Sequence, residues 1–174
     1  MNGLPSVINL MIVGIDNGCD GGVVYLNKKE VRYMTMTKVK DRYISKAKTG
    51  NRICSIALYG FLSCLPKGTK VLIERPVGSK DLNAAKSMSD SFATIRTVCE
   101  VLNMEWVQIS ASTWQKKLWK KGDPKEQASN IFIKKFPNNV DDFKVTALGN
   151  KSKNLHDGLV DAMLIADYGR KNKL

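Results

Sequence analysis

The first quarter of the chain contains short apolar runs that end at turn-forming residues. Val7 to Asp16 is rich in branched side chains and closes on Asn17-Gly18, a pattern typical of a buried strand that leads into a turn. Val23 to Leu26 and Val31 to Thr37 follow, separated by a polar Asn-Lys-Lys link, and are predicted as two further strands in hairpin fashion. The pattern therefore predicts that the fold opens with three antiparallel strands.

Helix-like and strand-like segments alternate in the middle of the chain. Apolar residues recur at three- and four-residue spacings from Ile53 to Leu65 and from Ala84 to Leu102, which predicts two amphipathic helices. Lys70 to Glu74 and Trp106 to Ile109 are compact apolar runs and are predicted as strands. Arg75-Pro76 ends the first of these strands, since proline cannot donate a hydrogen bond within a central strand.

The last third of the chain is predicted to be mainly helical. Helices are expected from Ser112 to Lys121, from Lys125 to Lys135 and from Leu155 to Tyr168. Two polar stretches without a clear period, residues 38–51 and 138–154, are interpreted as a loop and a connector. This order of elements predicts an α/β fold with a mixed five-stranded sheet flanked by helices.

The composition indicates one globular domain with a polyanionic partner. The 174 residues, 43% of them hydrophobic and 25% charged, fall in the range of a single domain spanning residues 1–174. Lys and Arg number 28 against 16 Asp and Glu, a formal net charge of +12, and basic side chains release counterions when they neutralise phosphates. Nucleic acid is therefore the favoured partner.

The sequence gives no sign of a membrane or secretory protein. No apolar stretch is long enough to span a bilayer, and the start of the chain lacks the basic flank and cleavage site of a signal peptide. The expected location is the cytoplasm, or the host cytoplasm for a phage-encoded protein. In that reducing compartment the scattered cysteines are interpreted as buried thiols rather than a zinc site; they are Cys19, Cys54, Cys64 and Cys99.

Four carboxylates occupy positions at which a strand or a helix would hold them rigidly. Asp16 and Glu74 each end an apolar strand, and Asp157 and Asp161 are four residues apart in the last helix, which places their Cβ atoms about 5–6 Å apart on one face. Like charges at that distance repel each other. A hard divalent cation such as Mg²⁺ would relieve the repulsion, because it prefers carboxylate oxygens. Together the acids could support two ions about 3.5–4 Å apart, as in two-metal phosphodiester hydrolysis.

Each acid also has a plain structural interpretation when it is taken alone. Asp16 begins an Asp-Asn-Gly run of the kind that forms turns, and Glu74 could form a strand-end ion pair with Arg75. Asp157 could stabilise the positive N-terminus of its helix. Asp161 lies a turn further in and gains little from that dipole, so it is the hardest of the four to explain without a ligand.

Three segments that carry these acids resemble the acidic motifs of RuvC-like Holliday junction resolvases, particularly their phage-type relatives. They are Val-Gly-Ile-Asp-Asn-Gly at 13–18, Leu-Ile-Glu-Arg-Pro at 72–76 and His-Asp-Gly-Leu-Val-Asp-Ala at 156–162. Ser-Thr-Trp-Gln-Lys-Lys-Leu at 112–118 and Asp-Pro-Lys-Glu-Gln at 123–127 extend the resemblance over nearly the whole chain. The resemblance implies a ribonuclease H-like fold, a homodimer, Mg²⁺ or Mn²⁺, and paired incisions in a four-way DNA junction.

The same resemblance implies roles for individual residues. By motif, Asp16 would bridge two ions, Glu74 would hold one of them with Asp16, and Asp157 and Asp161 would complete the ligand set. Lys125 matches a basic residue near the cleaved phosphate and would stabilise charge in the transition state. The last two acids are four residues apart here, whereas a separation of three is commonest in the family.

His156, the only histidine in the chain, is a second-rank catalytic candidate. The altered spacing leaves open whether Asp157 or His156 is the closer metal ligand or a proton carrier. The alternative for His156 is a solvated or hydrogen-bonded side chain that caps or precedes the last helix.

Basic side chains close to these motifs are candidate DNA contacts. Lysines interleave with Trp114 and Trp119, and such a face could bind phosphates and stack on bases. Tryptophans at this spacing are more often core anchors, with the lysines pointing to water. A second basic run lies in the polar segment after the third strand, with solvation as the equal alternative. The candidate DNA-binding residues are Arg75, Lys116, Lys117, Lys120 and Lys121.

The sequence thus predicts a metal-dependent, structure-selective DNA endonuclease that resolves four-way junctions. A flap or RNA-processing nuclease on the same fold is one alternative, because fold does not fix function. A junction-binding protein without turnover, in which the acids are structural, is another. A Gly-x-Asp-x-Gly start also occurs in sugar-kinase-like and actin-like ATP sites, but those need a second domain that 174 residues do not supply.

Overall fold

The computed structural model describes residues 10–40, 51–76, 82–118 and 128–174. In chain order the strands are β1 (Ile12–Ile15), β2 (Gly22–Leu26), β3 (Val31–Thr35), β4 (Lys38–Lys40), β5 (Asn51–Ile53), β6 (Lys70–Glu74) and β7 (Trp106–Ile109). The helices are α1 (Ser55–Ser63), α2 (Leu82–Val101), α3 (Ala111–Gln115), α4 (Ala128–Lys135) and α5 (Asp157–Lys171), and a 3₁₀ turn covers Pro137–Asn139. Within these ranges no helix combines the length and the apolar character needed to cross a bilayer.

A mixed sheet with the strand order β3-β2-β1-β6-β7 forms the centre of the fold. β1 pairs antiparallel with β2, β2 pairs antiparallel with β3, and β6 and β7 continue the sheet parallel to β1. The predicted α/β architecture, with an antiparallel opening and a mixed five-stranded sheet, is confirmed. Because β1, β6 and β7 run in one direction, their carboxyl ends lie at the same edge of the sheet.

Alternate residues of the central strands pack on opposite faces of the sheet, as the two-residue period of a strand requires. On one face Ile12 and Leu72 join a core with α3, α4 and α5. On the other face Val13 and Ile73 join a core with α1 and α2. α5 is buried along most of its length, so a side chain on this helix has little freedom to move relative to the sheet.

Glycines allow α5 to lie directly against the sheet. A Cβ atom on Gly14 of β1 would lie 2.1 Å from the carbonyl oxygen of Ala162, and one on Gly158 would lie 2.5 Å from the carbonyl oxygen of Asp20. Contacts below 3.0 Å are essentially never seen for real Cβ atoms. Larger residues at Gly14 or Gly158 would therefore displace the helix that carries Asp161.

The first part of the chain departs from the sequence predictions in three places, one of which is the third strand, which ends at Thr35 rather than at Thr37. The first strand is Ile12–Ile15 rather than Val7 to Asp16; residues 7–9 lie outside the described part. The polar segment 38–51, interpreted as a loop, contains β4 at its start and β5 at its end, paired as a small antiparallel sheet. Strands of three residues are too short to show a period, so the pattern hid them.

The second part departs mainly at helix ends. The helix predicted from Ser112 to Lys121 is wrong in its bounds, because α3 ends at Gln115 and the N-cap is Ser110, whose Oγ accepts a hydrogen bond from the Thr113 amide at 3.2 Å. The chain then turns, and residues 119–127, including the start of the helix predicted from Lys125, lie outside the described part.

The remaining predictions are met with small corrections. The connector predicted at 138–154 carries a fully buried Phe143 that anchors it to the core. The last helix starts at Asp157 and extends to Lys171. The prediction of buried thiols holds for Cys99 but is wrong for Cys64, which is exposed because it caps the C-terminal end of α1 at the surface.

Candidate active site

Asp16 and Glu74 lie side by side at the carboxyl edge of the sheet. The register of the parallel pair β1–β6 places Ile15 opposite Ile73, so the residues that follow them also lie next to each other, with about 4.8 Å between strands. The Asp16 amide donates to the Gly22 carbonyl at 3.0 Å, which holds the end of β1 against β2. Both carboxylates are therefore fixed by the ends of neighbouring strands, as the sequence predicted.

Asp161 reaches the same edge from α5. It lies in the second turn of that helix and directly precedes Ala162, whose carbonyl is the nearest atom to the missing Cβ of Gly14. The close helix-to-strand contact thus sets Asp161 near the end of β1, which continues into Asp16. Asp161, Asp16 and Glu74 are each half-buried.

The pKa of each of the three acids is raised, by burial first and, for Asp16 and Asp161, also by neighbouring carboxylates. Burial, then the charges of Asp161 and Glu74, raise the pKa of Asp16 to about 8. Burial, then the charges of Glu74 and Asp157, raise the pKa of Asp161 to about 7. Burial also raises the pKa of Glu74, against a hydrogen bond from Trp114 that lowers it. The carboxylates share one electrostatic environment in which their negative charges are unfavourable.

The described residues supply no salt bridge to compensate these charges. Among residues 10–40, 51–76, 82–118 and 128–174, no basic side chain forms a salt bridge with Asp16, Glu74 or Asp161. In the same ranges no group of three or more His, Cys, Asp or Glu side chains is arranged so that it could hold a metal ion. The donors are nevertheless all carboxylate oxygens in a shared field, the set that a hard divalent cation prefers. The cluster fits Mg²⁺ or Mn²⁺ in charge and in donor chemistry.

Asp157 lies at the rim of this cluster. It is exposed at the first position of α5 and adds to the raised pKa of Asp161, but it is not among the causes of the raised pKa of Asp16 or Glu74. It also borders a surface cavity of about 420 Å³ shared with Lys144 and Lys153. The structure therefore brings Asp16, Glu74 and Asp161 together and places Asp157 one helical turn away from Asp161.

His156 caps the helix that carries two of the acids. Its Nδ1 accepts a hydrogen bond from the Leu159 amide at 3.3 Å, so this nitrogen carries no proton and the neutral ring is protonated on Nε2. Burial lowers the pKa of His156 despite the opposing charges of Asp157 and Asp20, which keeps the ring neutral for this role. The geometry therefore favours the interpretation of His156 as a helix cap. A role of His156 in proton transfer stays a prediction.

Three of the six basic residues predicted to contact DNA lie in the part of the chain that the structure describes. Arg75 follows Glu74 directly, and Lys116 and Lys117 lie in the turn after α3; all three side chains are exposed. Within the described ranges none of the three forms a salt bridge, so their charges face solvent at the edge that carries the acids. Lys120, Lys121 and Lys125 lie outside the described residues.

Two further residues at this edge, Trp114 and Asn17, were not predicted from the sequence as site residues. Trp114 is fully buried, as the core-anchor interpretation has it, but its Nε1 also donates to Glu74 Oε2 at 3.1 Å. A buried indole N–H group needs a hydrogen-bond acceptor. A tryptophan predicted to lie in the core could therefore have indicated that an acceptor such as a carboxylate lies nearby. Asn17 is buried on the opposite face, where its Nδ2 donates to the Met88 carbonyl at 3.1 Å and ties α2 to the end of β1.

The sheet order and the helix packed across its centre define a ribonuclease H-like fold of the RuvC type, as the sequence resemblance implied. Among solved structures, Thermus thermophilus RuvC in complex with a Holliday junction substrate is similar at a TM-score of 0.52 and 11% identity, over 94% of this chain and 96% of that chain. A second Thermus thermophilus RuvC structure is similar at a TM-score of 0.52 and 12% identity, over 94% and 97% of the two chains. No protein-family model and no curated protein sequence matches the chain.

The unfavourable charges predict an inverted pH dependence of stability for the metal-free protein. The folded pKa of Asp16 is about 8 and that of Asp161 about 7, both above the ordinary value of 3.8, so protonation favours the folded state. Their contribution is complete below the unfolded pKa and is lost as the pH rises through 7 to 8. We expect the melting temperature in EDTA to fall by at least about 3 °C between pH 6 and pH 9, the shift given by ~1 kcal/mol in a protein of this size.

Thermal melts of the Asp16→Asn variant provide the control for this prediction. The variant should lose most of the decrease between pH 6 and pH 9, because the asparagine side chain does not titrate. Adding Mg²⁺ to the wild-type protein at pH 9 should restore the melting temperature. A wild-type curve that is flat or rises over this range would mean that the acids do not interact as described.

Proposed function

We propose that the protein is a metal-dependent, structure-selective DNA endonuclease that resolves four-way junctions by paired phosphodiester hydrolysis. The observation that carries the proposal is the convergence of Asp16, Glu74 and Asp161 at one sheet edge, where the charges of Glu74 and Asp161 raise the pKa of Asp16 and the charge of Glu74 raises that of Asp161. Acids in this arrangement cost stability unless a cation is bound, and their presence in a chain of net charge +12 favours a site for metal and polyanion together.

In this proposal the acids hold Mg²⁺ or Mn²⁺, two ions per site. Asp16, whose pKa both Asp161 and Glu74 raise, is the acid that would share a cation with each of them. Glu74 and Asp161 would be further ligands, and the exposed Asp157 would join from the rim of the cluster. The bound ions would activate a water molecule for attack and stabilise the leaving oxygen of the phosphodiester.

The protein's own contribution is to hold and orient the acids and the DNA backbone. The strand ends fix Asp16 and Glu74, and the glycine contacts of α5 fix Asp161, so little reorganisation is needed on binding. Arg75, Lys116 and Lys117 form no salt bridge within the part of the chain that the structure describes, and they would bind phosphates rather than base edges, which gives recognition by shape. Lys125 is assigned to the cleaved phosphate by motif resemblance, and Lys120 and Lys121 to the flanking backbone.

A homodimer is part of the proposal. Two copies facing one junction would present two equivalent sites to its two symmetry-related strands, and paired nicks would follow. One of the similar structures is a RuvC protein bound to a Holliday junction substrate, which makes branched DNA the first substrate to test. The proposed place of action is the cytoplasm.

A cleavage assay on several branched substrates tests this function. The full-length protein is incubated with a four-way junction, a flap, an RNA:DNA hybrid and linear duplex, each with Mg²⁺, Mn²⁺ or EDTA. We expect two symmetric cuts in the junction with either metal, and none in EDTA. Preferred cutting of the flap or the hybrid would support the alternative nuclease assignments. Tight junction binding that is independent of metal and without cutting would make the protein a junction binder.

Replacing Lys116 and Lys117 together by alanine is expected to weaken junction binding through lost phosphate contacts. The slope of the logarithm of the binding constant against the logarithm of salt concentration should become shallower by about one for each lysine. The measurement is a salt titration by fluorescence anisotropy in Ca²⁺ or EDTA.

Lys28 and Lys29 provide a matched control pair. They are exposed in the turn between β2 and β3, at the opposite edge of the sheet. Their replacement by alanine should leave the slope unchanged. If the two double variants give equal slopes, Lys116 and Lys117 do not contact DNA.

A further inference from the structure

Trp114 is joined to the acid cluster by a directional contact, a hydrogen bond to Glu74. Its indole N–H donates to Oε2 of Glu74 at 3.1 Å, and the side chain is 0% exposed. The indole nitrogen is a donor only and its direction is fixed by the plane of the ring. It therefore engages one oxygen of the carboxylate and leaves the other oxygen for a cation.

The ring is held in place by the segment that carries it. α3 begins directly after β7, with Ser110 capping its first turn, and Trp114 packs in the same core as α5. β7 in turn pairs with β6, and the hydrogen bond from the Arg75 amide to the Ile109 carbonyl at 2.8 Å continues this pairing past Glu74. Glu74 is thus restrained through its backbone by β7 and through its side chain by α3.

We propose that Trp114 is a positioning residue for the divalent-cation site. Its hydrogen bond fixes the rotamer of Glu74 and leaves one of the two carboxylate oxygens of Glu74 to bind the metal. This inference rests on the proposed function, because it requires that Glu74 is a ligand. Partners of metal ligands orient those ligands, and their loss typically lowers metal affinity about 10- to 100-fold. Trp114 would act through Glu74 without contacting substrate.

A purely structural role makes a different prediction for the same residue. Trp114 is a large core side chain, and filling the core requires its ring but not its N–H group. Phenylalanine keeps an aromatic ring in the core and removes the donor. If Trp114 only fills space, Trp114→Phe lowers stability and leaves metal affinity unchanged. If Trp114 positions Glu74, metal affinity falls as well.

Trp106 offers a matched control on the neighbouring strand. It is half-buried in β7 and packs edge-on against Phe92 on the other face of the sheet, with ring centroids 6.2 Å apart. Trp106→Phe makes the same chemical change without removing a hydrogen bond to an acid of the cluster. A loss of metal affinity shared by both variants would therefore reflect a general loss of packing.

The test is calorimetric titration of the full-length wild-type protein and both variants with Mn²⁺, with melting temperatures recorded without metal. We expect the dissociation constant of Trp114→Phe to rise about 10- to 100-fold and that of Trp106→Phe to stay within about twofold of wild type. Equal constants for wild type and Trp114→Phe, or equal losses in both variants, would overturn the inference while the proposed function stands. A wild-type protein that binds no Mn²⁺ would overturn both.

A second measurement covers the case in which Trp114→Phe does not fold. In the variant Trp106→Phe/Trp119→Phe, the remaining indole is that of Trp114, and its fluorescence reports directly on the contact with Glu74. Titration with Mg²⁺ should change the emission in a saturable manner, and Asp161→Asn in the same background should abolish or weaken the response. An emission that is insensitive to Mg²⁺ at concentrations that support cleavage would overturn the inference.

Discussion

Asp161→Asn is expected to reduce junction cleavage at least about 1,000-fold, which corresponds to about 4 kcal/mol of lost transition-state stabilisation. The substitution keeps the size of the side chain and removes one of the four carboxylate charges proposed to surround the ions. Because burial and the charges of Glu74 and Asp157 raise the pKa of Asp161 to about 7, its removal should also stabilise the metal-free protein at pH 8. Cleavage rates under single-turnover conditions and thermal melts in EDTA measure the two effects.

Lost activity combined with gained stability is expected only for a metal-binding carboxylate whose charge destabilises the metal-free protein. Asp142 is an exposed acid whose side chain lies outside the cluster, and Asp142→Asn serves as the control with unchanged cleavage and melting temperature. A destabilised Asp161→Asn protein would assign the carboxylate a structural role. Full cutting by that variant would remove Asp161 from the site altogether.

Gly14→Ala is expected to destabilise the protein by about 3 kcal/mol or more, at the upper end of what overpacking costs. The added Cβ would lie 2.1 Å from the Ala162 carbonyl oxygen and 2.6 Å from the Ala166 amide nitrogen, both backbone atoms that cannot move without α5. The melting temperature should fall by roughly 10 °C, and cleavage should fall with it because Asp161 is carried away from Asp16. Chemical denaturation and the junction assay measure these effects.

Gly60→Ala is the matched control for this prediction. Gly60 lies in α1, and nothing lies within 4 Å of the Cβ that alanine would add there. Alanine is favoured over glycine in a helix by about 0.5–1 kcal/mol, so this variant should be slightly more stable than wild type. A Gly14→Ala protein as stable as wild type would show that α5 does not lie against β1 as described.

The fold was predictable where each segment carries its own signal. The apolar runs that end at Asp16 and Glu74, and the helix-like stripe from Ala84 to Leu102, decided the order of elements and the fold class before any tertiary contact was considered. β4 and β5 were not predictable in this way, because a strand of three residues forms only when its partner is present. The start of α3 was misplaced because Ser110, Ser112 and Thr113 are all competent N-caps.

The candidate site was predictable in its acids but not in their partners. Asp16 and Glu74 were identified because each lies where an apolar run stops, which marks the end of a strand. The parallel register of the two strands then brings the two acids together. Spacing alone could not rank Asp157 and Asp161, since burial decides which of them faces the cluster. The Trp114–Glu74 contact spans 40 residues of sequence, and no local pattern reports such a pair.

The location of bound metal tests the central claim most directly. Crystals of the full-length protein soaked in Mn²⁺, measured at a wavelength where manganese scatters anomalously, show the ions independently of any activity. We expect anomalous density among the carboxylates of Asp16, Glu74 and Asp161. Density confined to other parts of the molecule, or a lysine amine seated among the three acids in place of an ion, would contradict the account.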